Sequence, residues 1–153
     1  GFAAPELESM ISTVVSADAV IVVTPIFTTS YSGLFKSFID VLDKEALVGK
    51  PVLIGATAGT PRHSLAIDYA IRPLFAYLHA QAVSTGVFAA SEDWGGTGDQ
   101  VAPLGSRIEK GAAELADAVA RRAPATASDP FDPASYLRGG SSFDQLLGGF
   151  AGE

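Results

Sequence analysis

Three short apolar runs alternate with amphipathic segments along this chain, and this alternation constrains the fold more than any other feature. The runs are "AVIVV" at residues 19–23, "VLIGATAG" at 52–59 and "VSTGVFAA" at 83–90. Strands that are apolar on both faces are typical of a parallel sheet covered by helices on both sides. The alternation therefore predicts an α/β fold with right-handed crossovers between its strands.

The segments around these runs have the periodicity of helices. Helices are expected at 5–17, 32–43, 63–80 and 104–122. In the second helix the residues expected to face the core are Leu34, Phe35, Phe38, Ile39 and Leu42. In the third helix, Pro73 is expected to cause a kink, because proline removes one backbone hydrogen bond.

Composition excludes several classes of function. The formal net charge of -7 argues against nucleic acid or an anionic membrane as the main partner. Cysteine is absent and only two histidines occur, so neither a disulfide nor a metal site is expected. No apolar run approaches the ~18 residues of a membrane span. A cytoplasmic location is therefore expected.

The chain is expected to form one domain over residues 1–122 and a tail over residues 123–153. With 48% hydrophobic residues the chain can form a core, whereas the segment after Arg122 is rich in Pro, Gly, Ser and Asp. Three strands are few for a doubly wound domain, and an apolar edge strand would invite aggregation. We therefore expect the sequence to lack a first βαβ portion.

The predicted strand ends carry polar residues. In open α/β sheets, ligands bind beyond the carboxyl ends of the strands. Those ends read "TPIFTTSYSG", "GATAGTPRHS" and "AASEDWGG". Hydroxyl and backbone N–H groups there can bind the polar edge of a planar heterocycle, while Pro25, Ile26 and Phe27 can pack against its face. Alternatively, the first segment is an N-capped turn, with Ser30 or Ser32 as the cap and Pro25 shaping the loop.

Two motifs carry a resemblance to a known family. Residues 24–40 fit T-P-x-[FY]-x-x-x-Y-S-G-x-x-K-x-x-x-D, and residues 55–63 fit G-A-T-x-G-T-x-x-H. With them, the chain from about residue 5 to about residue 120 resembles the NAD(P)H-dependent FMN reductases, especially the reductase components of two-component flavin monooxygenase systems. The resemblance implies a flavodoxin-like, doubly wound parallel sheet of order 2-1-3-4-5, whose third, fourth and fifth strands are the three runs found here.

The resemblance also implies which residues bind the cofactors. One side of the flavin ring would contact Thr24, Pro25, Ile26, Phe27 and Thr28, and the other side would contact Ala58, Gly59 and Thr60. Arg62 is the candidate contact for a nicotinamide-nucleotide phosphate, and His63 is either a second phosphate contact or a surface residue. The loop that binds the FMN phosphate in the family has no counterpart in this sequence.

Four other residues lie near these segments. Tyr31 falls in a segment that, in related reductases, lies at a subunit contact and carries a helical bulge in some of them. Glu92 and Asp93 are interpreted as loop or interface residues, and Trp94 could cap the site.

The predicted activity is NAD(P)H:FMN oxidoreduction, with FMN and either NADPH or NADH. Hydride would pass directly between the two bound rings, so no catalytic acid or base is assigned. The resemblance implies a homodimer or homotetramer and a flavin-dependent monooxygenase as a partner. The alternative is a non-catalytic flavodoxin-like electron carrier or a degraded scaffold. A serine hydrolase would need a G-x-S-x-G elbow, which this sequence does not contain.

Overall fold

A computed structural model describes residues 4–94 and 102–122 of the chain. Five strands form its sheet: β1 (Val20–Phe27), β2 (Ser30–Tyr31), β3 (Pro51–Ala58), β4 (Gln81–Ala82) and β5 (Val87–Ala90). Four α-helices accompany them: α1 (Pro5–Ser16), α2 (Gly33–Asp40), α3 (Arg72–Tyr77) and α4 (Leu104–Arg121). The tail predicted for residues 123–153 lies outside the described residues.

The sheet is mainly parallel, with β3 in the middle. β3 pairs in parallel with β1 over six residues, with β5 over four and with β4 over two at its start. Only β2 runs antiparallel, folding back against the end of β1. The predicted α/β class is confirmed, and so is the adjacency of the three apolar runs as consecutive parallel strands.

Helices cover both faces of β3. Val52, Ile54 and Ala56 lie on one face and belong to the main core, in which each is at most 1% exposed. Leu53 lies on the other face, next to Gly111 of α4. The main core is completed by Ile26, Ile39, Leu42, Leu47, Ala66, Ile67, Ile71, Phe75, Leu78, Phe88 and Ala90. This two-sided burial explains why β3 is apolar at nearly every position.

The long helix predicted at 63–80 is not continuous. It consists of a 3-10 turn (Pro61–His63), a π-helical turn (Ile67–Ile71) and α3. Pro73 is the second residue of α3, which continues directly from the π-helical turn, and the Arg72 N–H donates to the Ile67 carbonyl. The kink expected at Pro73 stays a prediction.

One further prediction needs correction. Leu34 was expected in the core but is 84% exposed, in the first turn of α2. The π-helical turn of the described chain lies at Ile67–Ile71 and contains Tyr69.

A buried lysine connects α1 to the sheet. Lys50, which immediately precedes β3, is only 3% exposed. Its ammonium group donates hydrogen bonds to the carbonyl oxygens of Val14 at 3.1 Å, Val15 at 2.6 Å and Ala17 at 2.6 Å. A cation at this position satisfies the free carbonyl groups at the end of α1 and is favoured by the helix dipole.

Candidate functional site

The carboxyl ends of the three long strands meet at one edge of the sheet. Pro25 of β1 pairs with Thr57 of β3, and Ala58 of β3 pairs with Ala90 of β5. This register brings the segment 25–28 next to the segment 58–60. The two segments predicted to enclose a planar ligand are therefore neighbours in space.

The first of these segments is a β-hairpin, not the loop that the sequence suggested. Phe27 pairs with Ser30, so Thr28 and Thr29 alone form the turn. Their φ angles are +49° and +68°, as in the type I′ turns that connect tight hairpins. Asn-Gly is the usual pair in such a turn, and a Thr-Thr pair gives no sequence signal for it.

A buried threonine fixes the base of the hairpin. Thr24 is 1% exposed, and its hydroxyl accepts a hydrogen bond from the Ser32 N–H at 3.1 Å and donates one to the Pro25 carbonyl at 3.1 Å. The Ser32 hydroxyl accepts from the Phe35 N–H at 3.2 Å and so caps α2. Of the two caps considered, the structure has Ser32.

The side chains of the predicted first-loop contacts alternate between core and surface. Thr24 and Ile26 are buried, whereas Pro25, Phe27 and Thr28 are exposed. Alternation is the normal consequence of strand geometry, because β1 extends to Phe27. The side chains of Thr24 and Ile26 are therefore taken up by the interior, and those of Pro25, Phe27 and Thr28 are the exposed ones of this segment.

The second segment has room for a ligand. A Cβ added at Gly59 would meet no heavy atom within 4 Å, so nothing inside the described chain requires glycine there. Thr60 accepts a hydrogen bond from the Arg62 N–H at 3.5 Å and caps the following 3-10 turn. Arg62 is exposed and His63 is half-buried, both just beyond the same strand end.

The third strand end is held by an ion pair that the sequence did not reveal. The Asp93 carboxylate is 4% exposed, accepts the Ala90 N–H at 2.6 Å and pairs with Arg107 of α4. Arg107 also donates to the carbonyl oxygens of Phe88 and Ala102. Asp93 thus lies in the turn that follows β5, and its carboxylate is an internal anchor. Trp94 is 73% exposed, and its predicted capping role stays a prediction.

Two charged groups near these elements have shifted pKa values. A hydrogen bond to the Asp40 carboxylate raises the pKa of Lys36 on α2. Hydrogen bonds from the Thr85 hydroxyl and N–H lower the pKa of Glu114 on α4.

Across residues 4–94 and 102–122, no three His, Asp or Glu side chains gather as ligands for a metal ion. None of the helices in these two ranges has the length and apolar character needed to span a membrane.

Comparison with known proteins identifies relatives. The family profile described as NADPH-dependent FMN reductase matches residues 2–95. An FMN reductase (NADPH) of Pseudomonas aeruginosa is 38% identical over 111 residues, which is 72% of this chain and 60% of that protein. The NADH-dependent FMN reductase SfnF of Pseudomonas fluorescens is 37% identical over 72% of this chain and 59% of its own length.

A solved structure agrees with these relatives. An oxidoreductase from Corynebacterium diphtheriae superimposes with a TM-score of 0.74 and 46% identity, covering 80% of this chain and 66% of that one. The likeness confirms the flavodoxin-like class predicted for the sheet. The chain spans about 60% of the length of the two curated relatives.

Proposed function

The chain belongs to the NADPH-dependent FMN reductase family, and on that premise we propose that it reduces FMN with NADPH or NADH. The observation that supports the proposal is the register of β1 and β3, which pairs Pro25 with Thr57, two residues before Gly59. FMN, when bound, supplies an electron-accepting ring to which hydride is transferred.

The residues at the strand ends fit a flat aromatic ring. Pro25 and Phe27 offer exposed apolar surface, and Phe27 is 64% exposed. Thr28 and Thr60 offer hydroxyl groups that can donate to or accept from the polar edge of a heterocycle. The open space at Gly59 lets the backbone approach the ring closely, which a side chain would prevent.

The role of the chain in the reaction is to position the flavin and nicotinamide rings. Holding two rings in contact converts an encounter in solution into a step within one complex. We assign the nicotinamide-nucleotide phosphate to Arg62, whose exposed guanidinium follows Gly59 by three residues, and we place His63 beside it. No side chain is assigned as a general acid or base.

Assembly and location are part of the same proposal. Helix α2 lies between two surface grooves of about 680 Å³ and about 470 Å³, and the larger one is lined mainly by apolar side chains, including Phe35 and Phe38. Such exposed apolar surface supports a homodimer or homotetramer that buries α2. We further propose that the protein works in the cytoplasm and that reduced flavin passes to a flavin-dependent monooxygenase.

Two measurements on the purified chain test the activity. FMN fluorescence should be quenched on titration with the protein, and absorbance of NADPH or NADH should fall once FMN is present. Quenching without oxidation of either nucleotide would favour the electron carrier over the reductase. Absence of both signals would contradict the proposed function.

A further inference from the structure

One arginine joins three parts of the chain at the end of β5. The Arg107 guanidinium on α4 donates to the carbonyl oxygen of Phe88, donates to that of Ala102 at 3.2 Å, and pairs with the Asp93 carboxylate. A guanidinium carries five N–H groups in a rigid plane, so it can fix several acceptors at once. Arg107 and Asp93 together are called the strand-end clasp below.

The clasp contacts the backbone at the edge of the sheet proposed for the ligand. Asp93 accepts the Ala90 N–H at 2.6 Å, and Ala90 is the last residue of β5. Ala90 pairs with Ala58, the last residue of β3, which Gly59 and Thr60 follow directly. The clasp is therefore connected to the second site segment through one pair of strand residues.

Pairing also governs the charge at this edge. A single carboxylate there would repel the phosphate groups of a nucleotide. Asp93 is 4% exposed and lies opposite the Arg107 guanidinium, so the two formal charges cancel while the hydrogen bonds to the backbone are kept. The clasp thus fixes the geometry of the strand end without adding negative charge to it.

A second arginine offers a matched comparison. Arg72 of α3 donates to the Asp68 carboxylate at 2.9 Å and to the carbonyl oxygens of Val83 and Ser84. Its side chain is 27% exposed, as is that of Arg107, and both arginines bind one carboxylate and two backbone carbonyl groups. They differ in place, because Val83 follows β4, which pairs with the start of β3 at the end away from the ligand edge.

We propose that Arg107 and Asp93 are positioning residues, and that the clasp holds the end of β5, and through it residues 58–60, in the arrangement that binds the flavin ring. Neither side chain needs to touch the ligand. A small displacement of a binding segment lowers affinity, because fitted contacts depend on position. The inference rests on the proposed function and deepens it, because it adds α4, to which no ring contact is assigned, to the elements on which binding depends.

Three single variants and one double variant of the chain test the clasp. Arg107→Met removes the guanidinium. Asp93→Asn keeps the shape of the side chain and an oxygen for the Ala90 N–H, so it remains informative if Arg107→Met does not fold. D93N/R107M tests whether the two residues act as one unit. Arg72→Met is the matched control. For each variant we measure the unfolding free energy in urea, the FMN affinity by fluorescence quenching, and the NMR amide resonances of residues 58–60.

We expect Arg107→Met and Arg72→Met both to be less stable than the parent, since each leaves carbonyl and carboxylate groups without a donor. Only the clasp variants should bind FMN about tenfold or more weakly and shift the amide resonances of residues 58–60. Arg72→Met should keep the parent affinity and the parent resonances there. The double variant should bind FMN no more weakly than Arg107→Met, because the same unit is lost in both.

Two results would overturn the inference. Parent-like FMN affinity in both Arg107→Met and Asp93→Asn would show that the clasp only stabilises the fold. Equal losses of affinity in Arg107→Met and Arg72→Met would show that reduced stability, and not position, weakens binding. A parent chain that fails to quench FMN would instead refute the proposed function, and the resonances of residues 58–60 would still decide whether the clasp positions that segment.

Discussion

Neighbouring residues at the end of β1 have separate tasks. The side chains of Thr24 and Ile26 face inward, one as the hydrogen-bonded base of the hairpin and the other as part of the core. Those of Pro25 and Phe27 face outward and remain available to a ligand. We therefore expect a substitution at an inward-facing position to change stability and one at an outward-facing position to change binding.

Gly59 is the residue at which binding can be changed without disturbing the fold. The site around its missing Cβ is open and its φ is not positive, so Gly59→Val should leave the unfolding free energy of the ligand-free chain nearly unchanged. A branched side chain would occupy the space proposed for the ring, at a cost of about 1–3 kcal/mol, or about ten- to hundredfold in FMN affinity. Fluorescence titration measures this loss.

A histidine at the opposite end of the sheet provides the control for that experiment. His79 follows α3 and contacts Gly49, just before β3 begins. His79→Ala should leave FMN affinity at the parent value. If Gly59→Val also bound FMN like the parent, the second segment would not hold the ring and the site assignment would have to be withdrawn.

The segment 83–86, which precedes β5, is hydrogen-bonded to a helix on each face of the sheet. Arg72 of α3 donates to the Val83 carbonyl at 2.9 Å and to the Ser84 carbonyl at 3.1 Å. Glu114 of α4 accepts from the Thr85 N–H at 2.8 Å and from the Thr85 hydroxyl at 2.6 Å. This connection therefore sets the position of β5 relative to both helices.

Close packing at Gly86 makes the same connection sensitive to a single methyl group. A Cβ at Gly86 would lie 2.6 Å from Cγ2 of Ile67, a core side chain that is 4% exposed. Because that methyl is attached to the branched β-carbon and cannot swing away, Gly86→Ala should destabilise the fold by about 1–3 kcal/mol. Urea denaturation measures the change.

The control for Gly86 is another glycine-to-alanine change. Gly105 lies in the first turn of α4, and a Cβ there would meet nothing within 4 Å. Gly105→Ala should leave stability equal or slightly higher, since alanine favours the helix. Equal stability of Gly86→Ala and Gly105→Ala would contradict the close contact with Ile67.

The Glu114–Thr85 contact should make stability depend on pH. Hydrogen bonding from Thr85 lowers the pKa of Glu114 in the folded chain below the value of 4.5 that it has without these contacts. The stability that the ionised Glu114 carboxylate contributes is thus present in full above pH 4.5. It is lost as the pH falls through the lower pKa of the folded chain.

Comparing Glu114→Gln with the parent isolates this effect. The unfolding free energy of the parent should exceed that of the variant near neutral pH, and the two should converge in acid. Glu109→Gln, an exposed position on the same helix, is the control for removing one carboxylate from α4. If the difference in unfolding free energy between the parent and Glu114→Gln stayed constant from neutral to acid pH, the pKa shift would be disproved.

At the scale of the whole molecule, the described residues include several large apolar side chains that are exposed. Leu34 is 84% exposed on α2, Ile21 and Val23 are 62% and 60% exposed on β1, and Tyr69 and Tyr77 are 79% and 75% exposed near α3. Singly exposed apolar residues are common, but Leu34 and Val23 line one groove beside α2 and Tyr77 lines the other. Burial against another chain would remove this surface from water.

We expect light scattering to show a dimer or larger assembly at about 10–50 µM, a concentration above the dissociation constant of a typical stable dimer. Leu34→Glu should shift the assembly toward monomer, because a carboxylate cannot be buried without a partner. Val48→Glu is the control, at an exposed apolar position at the other end of the sheet, close to the start of β3. A parent that is monomeric in this range would count against assembly through α2.

The sequence by itself determined the fold class and indicated the strand ends at which a ligand site is proposed. Uniformly apolar strands and helical periodicity are local properties of the chain, and they predicted three adjacent parallel strands that the structure confirms. The rule that ligands bind beyond the carboxyl ends of such strands indicated the segments that follow the three runs. The resemblance to the FMN reductases then implied residues 24–28 and 58–60 as the contacts. Both segments do lie at that edge, next to each other.

Tertiary structure alone decided what each side chain in those segments does. The inward direction of Thr24 and Ile26 depends on where β1 ends, and that depends on its pairing with the second strand of the hairpin. The division of the 63–80 segment into π-helical and α-helical turns, and the ion pair of Asp93 with Arg107, likewise depend on contacts between distant residues. The physical reason is that a local pattern fixes which residues are apolar or polar, whereas strand length, helix type and ion pairing follow from the packing of elements far apart in the sequence.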